Sequence, residues 1–443
     1  MGLTRRRFLK SGAAAMVAGA MAKSTVFGAN DRVNVALVGC GHRGRVVAGG
    51  MINNGARLTH LCDLHPERLE VTWDNLSHEQ EERPAFVQDM EEVFASDEVD
   101  AVIVATPDHW HALPSIRAVQ AGKDVFVEKP HSHSIHESRK MVEAAEKHGR
   151  FIEVGTQNRS AEYVKQTRER IREGALGRIP MVKVYGRALL ASPFHLGEPA
   201  DPPEGFDWNT WLGRVPTEWP YYPRLFSHGW HNLWEFNATG QAIDGVHQID
   251  MALMLMDDPG IPKSVRSIAG QYLQPDDDSE IPDFESVSWD FGDFIMTFET
   301  VGAREYMRMQ PIPVPYWPMN ATRTELYGSD RFMYAGRHAR GVRILERDGE
   351  EVETFEGNPG PTGYGCWDHF ASFLNCVRTR EKPTADISLA HASNVMIHMA
   401  NIAHRLGNIS LNYDPETGLF DNDEANAMIR PPEREEFAVP DEV

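Results

Sequence analysis

The stretch Val33-Asn34-Val35-Ala36-Leu37-Val38-Gly39-Cys40-Gly41-His42-Arg43-Gly44 decides how this chain is read. Val33, Val35 and Val38 form a β-branched run suited to a strand, and the run passes directly into G-x-G-x-x-G. Gly39 permits a tight turn, Gly41 lets the backbone approach a pyrophosphate, and Gly44 lets the following helix pack closely on the strand. The free N–H groups at the start of that helix would face the phosphates. A second apolar strand around Leu58 to Cys62 ends in Asp63, about 20 residues after the last glycine, where an acidic side chain takes a ribose diol. A carboxylate there accepts both hydroxyls of NAD and repels the 2′-phosphate of NADP. The pattern predicts a dinucleotide site with NAD preferred over NADP.

Length and composition fit a soluble enzyme. With 443 residues, 41% apolar and 25% charged, the chain has ample core for two domains. Its net charge of −21 argues against nucleic acid or an anionic membrane surface as partner, since either requires a basic face. Basic residues cluster only near the start, in Thr4-Arg5-Arg6-Arg7-Phe8-Leu9-Lys10, ahead of the Ala-, Gly-, Val- and Met-rich run Ser11 to Ala22. This segment resembles a twin-arginine export signal. It is too short for a stable bilayer anchor, and Ala20-Met21-Ala22 suits cleavage. Residues 1–30 are therefore expected to be signal and linker, read by the twin-arginine machinery, with the mature protein periplasmic or extracellular and without a stable membrane anchor. Cys40, Cys62, Cys366 and Cys376 show neither C-x-x-C spacing nor a disulfide framework. A protein that folds around its cofactor before export, and then works where free cofactor is scarce, should hold it tightly.

Beyond Asp63, helix and strand patterns alternate: a helix around Glu91 to Ala95, a strand Ala101 to Ala105, a helix reaching Ala121-Gly122, and a strand Val125-Phe126-Val127. Such alternation predicts a parallel, doubly wound sheet, with ligands beyond the carboxyl ends of the strands. Those ends carry Thr106-Pro107-Asp108-His109-Trp110-His111 and Glu128-Lys129-Pro130. With the Gly-rich loop and Ala121-Gly122-Lys123, they resemble the Gfo/Idh/MocA oxidoreductases. The resemblance extends through Val154-Gly155-Thr156-Gln157-Asn158-Arg159, Asp207-Trp208-Asn209-Thr210-Trp211-Leu212-Gly213, and the C-terminal segments His369 to Arg380, Gly407 to Pro415 and Asp423 to Asn426. It implies that Gly39, Gly41, His42, Arg43, Gly44, Asp63, Thr106, Pro107, His111, Glu128, Lys129, Pro130 and Gln157 surround the cofactor. In that family the lysine of E-K-P lies beside the nicotinamide and contacts the reacting oxygen, while the proline shapes the loop, often through a cis peptide. The resemblance also implies a homodimer or homotetramer. Independently of it, an ammonium at the end of a cofactor-binding strand suits the developing charge, or the proton, of a reacting C–OH group.

The fold class expected is α/β, with an N-terminal Rossmann domain at 31–156 and a C-terminal α+β domain at 157–443. The second domain should hold a large, mostly antiparallel sheet and C-terminal helices. Its strand candidates are Met181 to Ala188, Ser264 to Leu273, Ser286 to Phe298, Glu325 to Tyr327 and Phe332 to Tyr334, after a helix Ala161 to Glu173. Gly240 to Asp250 leads into an apolar helix resembling the family's catalytic helix, where an Asp stands four residues before a His. Here Ile243 occupies that position, and Asp244 stands three before His247. Residues three apart still share a helix face. His247 is the candidate general acid or base, with Asp244 either its support or a helix-capping acid; Asp250 reads as structural.

Trp208, Trp211, Trp219, Tyr221, Tyr222, Trp230, His231 and Trp234 make the irregular region Ala191 to Ser227 and its continuation strongly aromatic. Flat rings serve equally as core or as platforms for sugars. Arg159, Trp208, Trp211, His231, Asp244 and His247 are the candidate substrate contacts, Arg159 having a salt-bridged structural role as its alternative. The histidines at 109, 111, 131, 133 and 136 lack the spacing of a metal set, and no metal is expected; His131 and His133 are placed against cofactor or substrate. The chemistry expected is NAD-dependent oxidation of a secondary hydroxyl of a sugar, glycoside or cyclitol, with cofactor retained. The alternative is glycoside cleavage by transient C3 oxidation, elimination, water addition and re-reduction.

Overall fold

The computed structural model describes residues 32–186, 193–237, 242–301, 322–336, 341–358 and 367–443. The arginine-rich start and Cys366 lie outside the described residues.

Strands β1 (Asn34–Val38), β2 (Arg57–Cys62), β3 (Ala85–Val87), β4 (Ala101–Val104), β5 (Asp124–Val127) and β6 (Ile152–Val154) form one sheet in the order β3-β2-β1-β4-β5-β6, parallel throughout. β4 and β5 are buried along their whole length, as expected when helices cover both faces of a parallel sheet. Those helices include α1 (His42–Asn53), α2 (Pro66–Leu76), α3 (Ala112–Gln120) and α4 (Ile135–His148). α4 begins at Ser134, whose hydroxyl accepts from the Glu137 amide, and ends at Gly149 in the left-handed region. This is the doubly wound domain the sequence predicts.

Among the described residues the second sheet has ten strands, β7 (Met181–Tyr185), β8 (Ser264–Gly270), β9 (Phe284–Asp290), β10 (Ile295–Val301), β11 (Arg323–Tyr327), β12 (Phe332–Gly336), β13 (Val342–Leu345), β14 (Glu351–Phe355), β15 (Ser410–Asp414) and β16 (Leu419–Phe420), in the order β14-β13-β12-β11-β7-β10-β9-β8-β15-β16. β7 (Met181–Tyr185) and β10 (Ile295–Val301) pair in parallel at its centre; the remaining pairs are antiparallel. The single strand expected over Ser286 to Phe298 is two: β9 (Phe284–Asp290) turns back into β10. Gly292, at φ 93°, makes the turn, and Asp290 Oδ1 accepts its N–H at 2.7 Å, an arrangement that competes successfully with continued pairing. Strands β13 (Val342–Leu345) and β14 (Glu351–Phe355), for which the sequence reading had no counterpart, extend the sheet beyond β11 (Arg323–Tyr327) and β12 (Phe332–Gly336).

One face of this sheet packs on α5 (Ala242–Leu255) and α7 (Ile387–Arg405), with Val246, Ile249, Phe298, Val395 and Met399 buried together. Gly245 allows the close approach, since a Cβ there would lie 2.4 Å from the Phe298 ring. The intervening helix α6 (Trp367–Thr379) returns to the parallel sheet. Its Phe370 and Phe373 rings pack edge-on to the buried Phe126, and Phe370 fills the groove that Gly50 of α1 leaves open. Fully burying rings of this size contributes about 1.5–3 kcal/mol each. The chain's last third thereby holds the strand ends and α5 in one compact unit.

Candidate active site

A cleft of about 500 Å³ opens beyond the carboxyl ends of β1, β4 and β5. On its parallel-sheet side, Gly39 turns at φ 97°, where a Cβ would come within 2.6 Å of the Ala105 backbone. A Cβ on Gly44 would lie 2.1 Å from the Gly39 carbonyl, so helix and strand approach as the spacing requires. Gly41 precedes α1 and faces open space, which leaves room for a pyrophosphate against the helix start. Asp63 lines the same end; its Oδ2 accepts from the Cys40 amide at 2.8 Å and its Oδ1 from the His65 amide at 2.9 Å. Burial raises its pKa, opposed chiefly by the nearby Arg68. Arg68 also lines the cleft, with its guanidinium 4.0 Å from the centroid of Phe226. These features fit a nicotinamide dinucleotide.

Toward the middle, Thr106, Pro107, His111, Glu128 and Lys129 line the cleft. The Lys129–Pro130 peptide is cis. His111 is buried, with Nδ1 2.5 Å from the Pro130 carbonyl and Nε2 2.8 Å from that of Thr106, so it ties the two strand-end loops together. Arg43 Nε donates to Glu128 at 2.7 Å, joining the Gly-rich loop to the E-K-P loop. His42 is exposed on the rim.

The opposite wall comes from Gln157, from the aromatic segment and from α5. His247 on α5 lines the cleft, and its backbone carbonyl accepts from Asn158 Nδ2 at 3.1 Å. His231 lines it too, its ring stacked on Trp230 with centroids 3.5 Å apart. Burial takes the His231 pKa down to about 3; the hydrogen bond to the His228 carbonyl opposes this, and the charge of nearby Lys129 adds to it. Lys129, His231 and His247 thus meet in one cleft although 118 residues separate the first from the last.

The aromatic segment is anchored to the parallel-sheet domain near both ends of this cleft. The Trp211 carbonyl accepts from His109 Nε2 and Trp110 Nε1, each at 2.9 Å, which holds the segment on the end of β4. At the Asp63 end, Phe226 stacks on His65 with centroids 5.5 Å apart, and Gln88 donates to the carbonyls of Leu64 and Gly205.

Several expected contacts lie elsewhere. Arg159, 1% exposed, donates through Nε to Asp250 at 2.7 Å and through Nη2 to Asp258 at 2.8 Å, so it forms a buried ion-pair network and does not line the cleft. Trp208 stacks on Trp211 and donates to the Trp219 carbonyl; it packs in the aromatic core, and only Trp211 of the two reaches the cleft. Asp244 is buried one turn before His247 and does not line the cleft. His131 and His133 also miss the cleft: past the Pro130 bend they face inward, to Ser138 and to the Trp234 carbonyl. Among the described residues, no group of three or more His, Cys, Asp and Glu side chains converges as a metal site.

Sequence reasoning missed Arg68, Phe226 and His228 as lining residues. Arg68 carries a usable signal, five residues after Asp63 in the first turn of α2; Phe226 and His228 reach the cleft only through tertiary packing.

Comparison with known proteins agrees with the architecture. Residues 33–156 match the Gfo/Idh/MocA model described as an oxidoreductase family, NAD-binding Rossmann fold. Residues 365–439 match the model described as that family's C-terminal alpha/beta domain. The chain is 30% identical over 164 residues to the scyllo-inositol 2-dehydrogenase (NAD(+)) of Bacillus subtilis, covering 37% of this chain and 46% of that protein. It is 30% identical over 122 residues to a glycosyl hydrolase family 109 protein of Shewanella baltica, covering 26% of this chain and 27% of that protein. The chain thus spans less than half the length of these curated relatives. A solved structure of levoglucosan dehydrogenase in complex with NADH and levoglucosan superposes with a TM-score of 0.64 at 16% identity, covering 86% of this chain and 99% of that one, which shows a shared fold.

Proposed function

We propose that the chain is an oxidoreductase of the Gfo/Idh/MocA type, whose two domain models match residues 33–156 and 365–439, and that it oxidises a secondary hydroxyl of a sugar, glycoside or cyclitol with retained NAD. The observation that carries this is the meeting of Lys129 with His231 and His247 in the cleft whose other end is built for a dinucleotide. The cofactor, when bound, accepts or returns the hydride. Lys129 would hold the reacting oxygen and stabilise its developing charge. His247 would exchange the hydroxyl proton, with Asp244 as a positioning residue on the preceding helical turn. Trp211, Trp230 and His231 would face the ring.

Retention of the cofactor is supported by the aromatic segment, which is joined to the parallel-sheet domain at both ends of the cleft. Retention suits the export suggested by Arg5, Arg6 and the small-residue run that follows, and we include a twin-arginine route and a homodimer or homotetramer in the proposal. No helix among the described residues is long and apolar enough to cross a membrane.

The second reading, redox-neutral glycoside cleavage through transient C3 oxidation, is favoured by the relative named as a glycosyl hydrolase family 109 protein and needs no cofactor exchange. Purified protein should carry NAD without any being added. Turnover of a chromogenic glycoside by that protein alone selects the cleaving enzyme, and reduction of added NAD by free sugars or cyclitols selects the dehydrogenase. Absence of both activities, across a panel of sugars and cyclitols, would overturn the proposal.

A further inference from the structure

Arg68 stands half-buried in the first turn of α2 and lines the cofactor cleft at its Asp63 end. A cation there opposes the helix dipole, so the helix itself does not account for it. Among the described residues, its guanidinium makes no hydrogen bond or ion pair. What it does touch is the Phe226 ring, whose centroid lies 4.0 Å from the guanidinium carbon.

Phe226 belongs to a short helix, Pro223–Ser227, within the aromatic segment. Its ring lies nearly parallel to that of His65, at 13°, and meets Phe206 and Trp211 with centroids 4.7 and 5.9 Å away. The aromatic wall therefore runs without a break from Trp211, at the middle of the cleft, to Arg68 at its end. Leu64, Gln88 and Met90 line the same end, and the Gln88 amide nitrogen is already engaged by the carbonyls of Leu64 and Gly205. This end thus offers a ligand a flat, mostly apolar surface with few hydrogen-bonding groups. Asp63 stands where the adenosine ribose is taken, and a base attached to that ribose falls on the β2–β3 side, against these residues. An arginine plane stacks well on an aromatic base. A guanidinium already held flat against a ring has less side-chain freedom to lose when it does so, and such preorganisation shows chiefly as slower dissociation.

We propose that Phe226 is a positioning residue that fixes the Arg68 guanidinium as a flat wall for adenine, and that this stack, reaching across from the aromatic segment, slows release of the dinucleotide. The inference rests on the retained-NAD reading above and names the residues responsible for retention.

The test is displacement. Purified protein carrying NAD is mixed with excess ADP-ribose, and the NAD still bound is quantified after rapid gel filtration at successive times. Phe226→Ala should release NAD at least about tenfold faster than wild type, the scale of one stacking contact. Phe226→Tyr keeps the ring and should restore slow release. Arg68→Ala should accelerate release as much as Phe226→Ala, and the double variant should be no faster than either single one, because both changes remove the same stack. Unchanged release in Phe226→Ala would overturn the proposal. Fully additive effects in the double variant would overturn it too, since a ring that only supports the fold acts independently of Arg68. So would an Arg68→Ala protein that loses NADP affinity while its NAD release stays slow, which would assign the guanidinium to a 2′-phosphate. Wild-type protein purified without NAD would remove the retention reading and this inference with it, an outcome seen before any variant is compared.

Discussion

The Arg159 guanidinium donates to Asp250 across 2.7 Å with both side chains essentially inaccessible, at 1% and 0% exposure. The pair joins the crossover out of the parallel sheet to helix α5, the helix that carries His247. Removing one partner leaves the other charge buried, which costs about 3–5 kcal/mol. Arg159→Ala should therefore lower the melting temperature sharply in calorimetry and leave the substrate KM of the surviving folded fraction close to wild type. A large KM increase with an unchanged melting temperature would restore Arg159 as a substrate contact.

Asp63 is held by two backbone amides with its carboxylate at the cleft. Asp63→Ala should weaken NAD by about 1.5–3 kcal/mol, the scale of a charge-assisted contact to a diol, and weaken NADP less. Fluorescence titration with both dinucleotides measures the difference. Wild-type affinity for NADP equal to or above that for NAD would reverse the assignment.

Lys129→Ala should leave NAD affinity nearly intact, because the pyrophosphate and ribose contacts lie at the other end of the cleft, and reduce turnover by roughly 10²- to 10⁴-fold. His247→Ala should behave similarly. Asp244→Asn should cost as much if Asp244 orients His247, and far less if it only caps the helix. Near-full activity of Lys129→Ala would remove the lysine from the chemistry.

Stability should peak near pH 6.5. Burial lowers the pKa of His109 to about 3 and those of His369, His391 and His398 to about 4. Below about pH 6.5 the unfolded chain binds protons at these rings that the folded chain does not. Their contribution is therefore complete above that pH and is lost as pH falls toward 4. Burial raises Glu153 and Glu285 to about 8; their contribution is complete below the ordinary carboxylate range and is lost as pH rises through 8. Melting temperatures between pH 4 and 9 should trace both limbs, and Glu285→Gln should flatten the alkaline one. A profile flat across this range would contradict the burial of these groups.

Replacing Arg5 and Arg6 with lysine should strand folded, cofactor-loaded protein in the cytoplasm, as cell fractionation would show. The pair would be read by the transporter and contribute nothing to the core. Export at the wild-type level would mean that a different signal is used.

What was legible from sequence was whatever local pattern dictates. The β-branched run into Gly39, Gly41 and Gly44, the acid at Asp63 and the E-K-P loop at the end of β5 each depend on neighbours within a few residues, and together they specify a doubly wound, dinucleotide-binding sheet. Tertiary structure alone decided which side chains face the cleft. Trp208 and Trp211 sit three apart on one short helix, yet only Trp211 reaches the cleft, where His109 and Trp110, about 100 residues earlier, hold its backbone carbonyl. Arg159 follows the crossover strand directly, yet two aspartates about 90 to 100 residues later claim its charge. His131 and His133 follow Lys129 in sequence and turn away from it in space. In each case the outcome depends on burial and on pairing with distant segments, and a buried guanidinium or imidazole goes to whichever acceptor the packed fold brings within hydrogen-bond reach. No local periodicity encodes that choice.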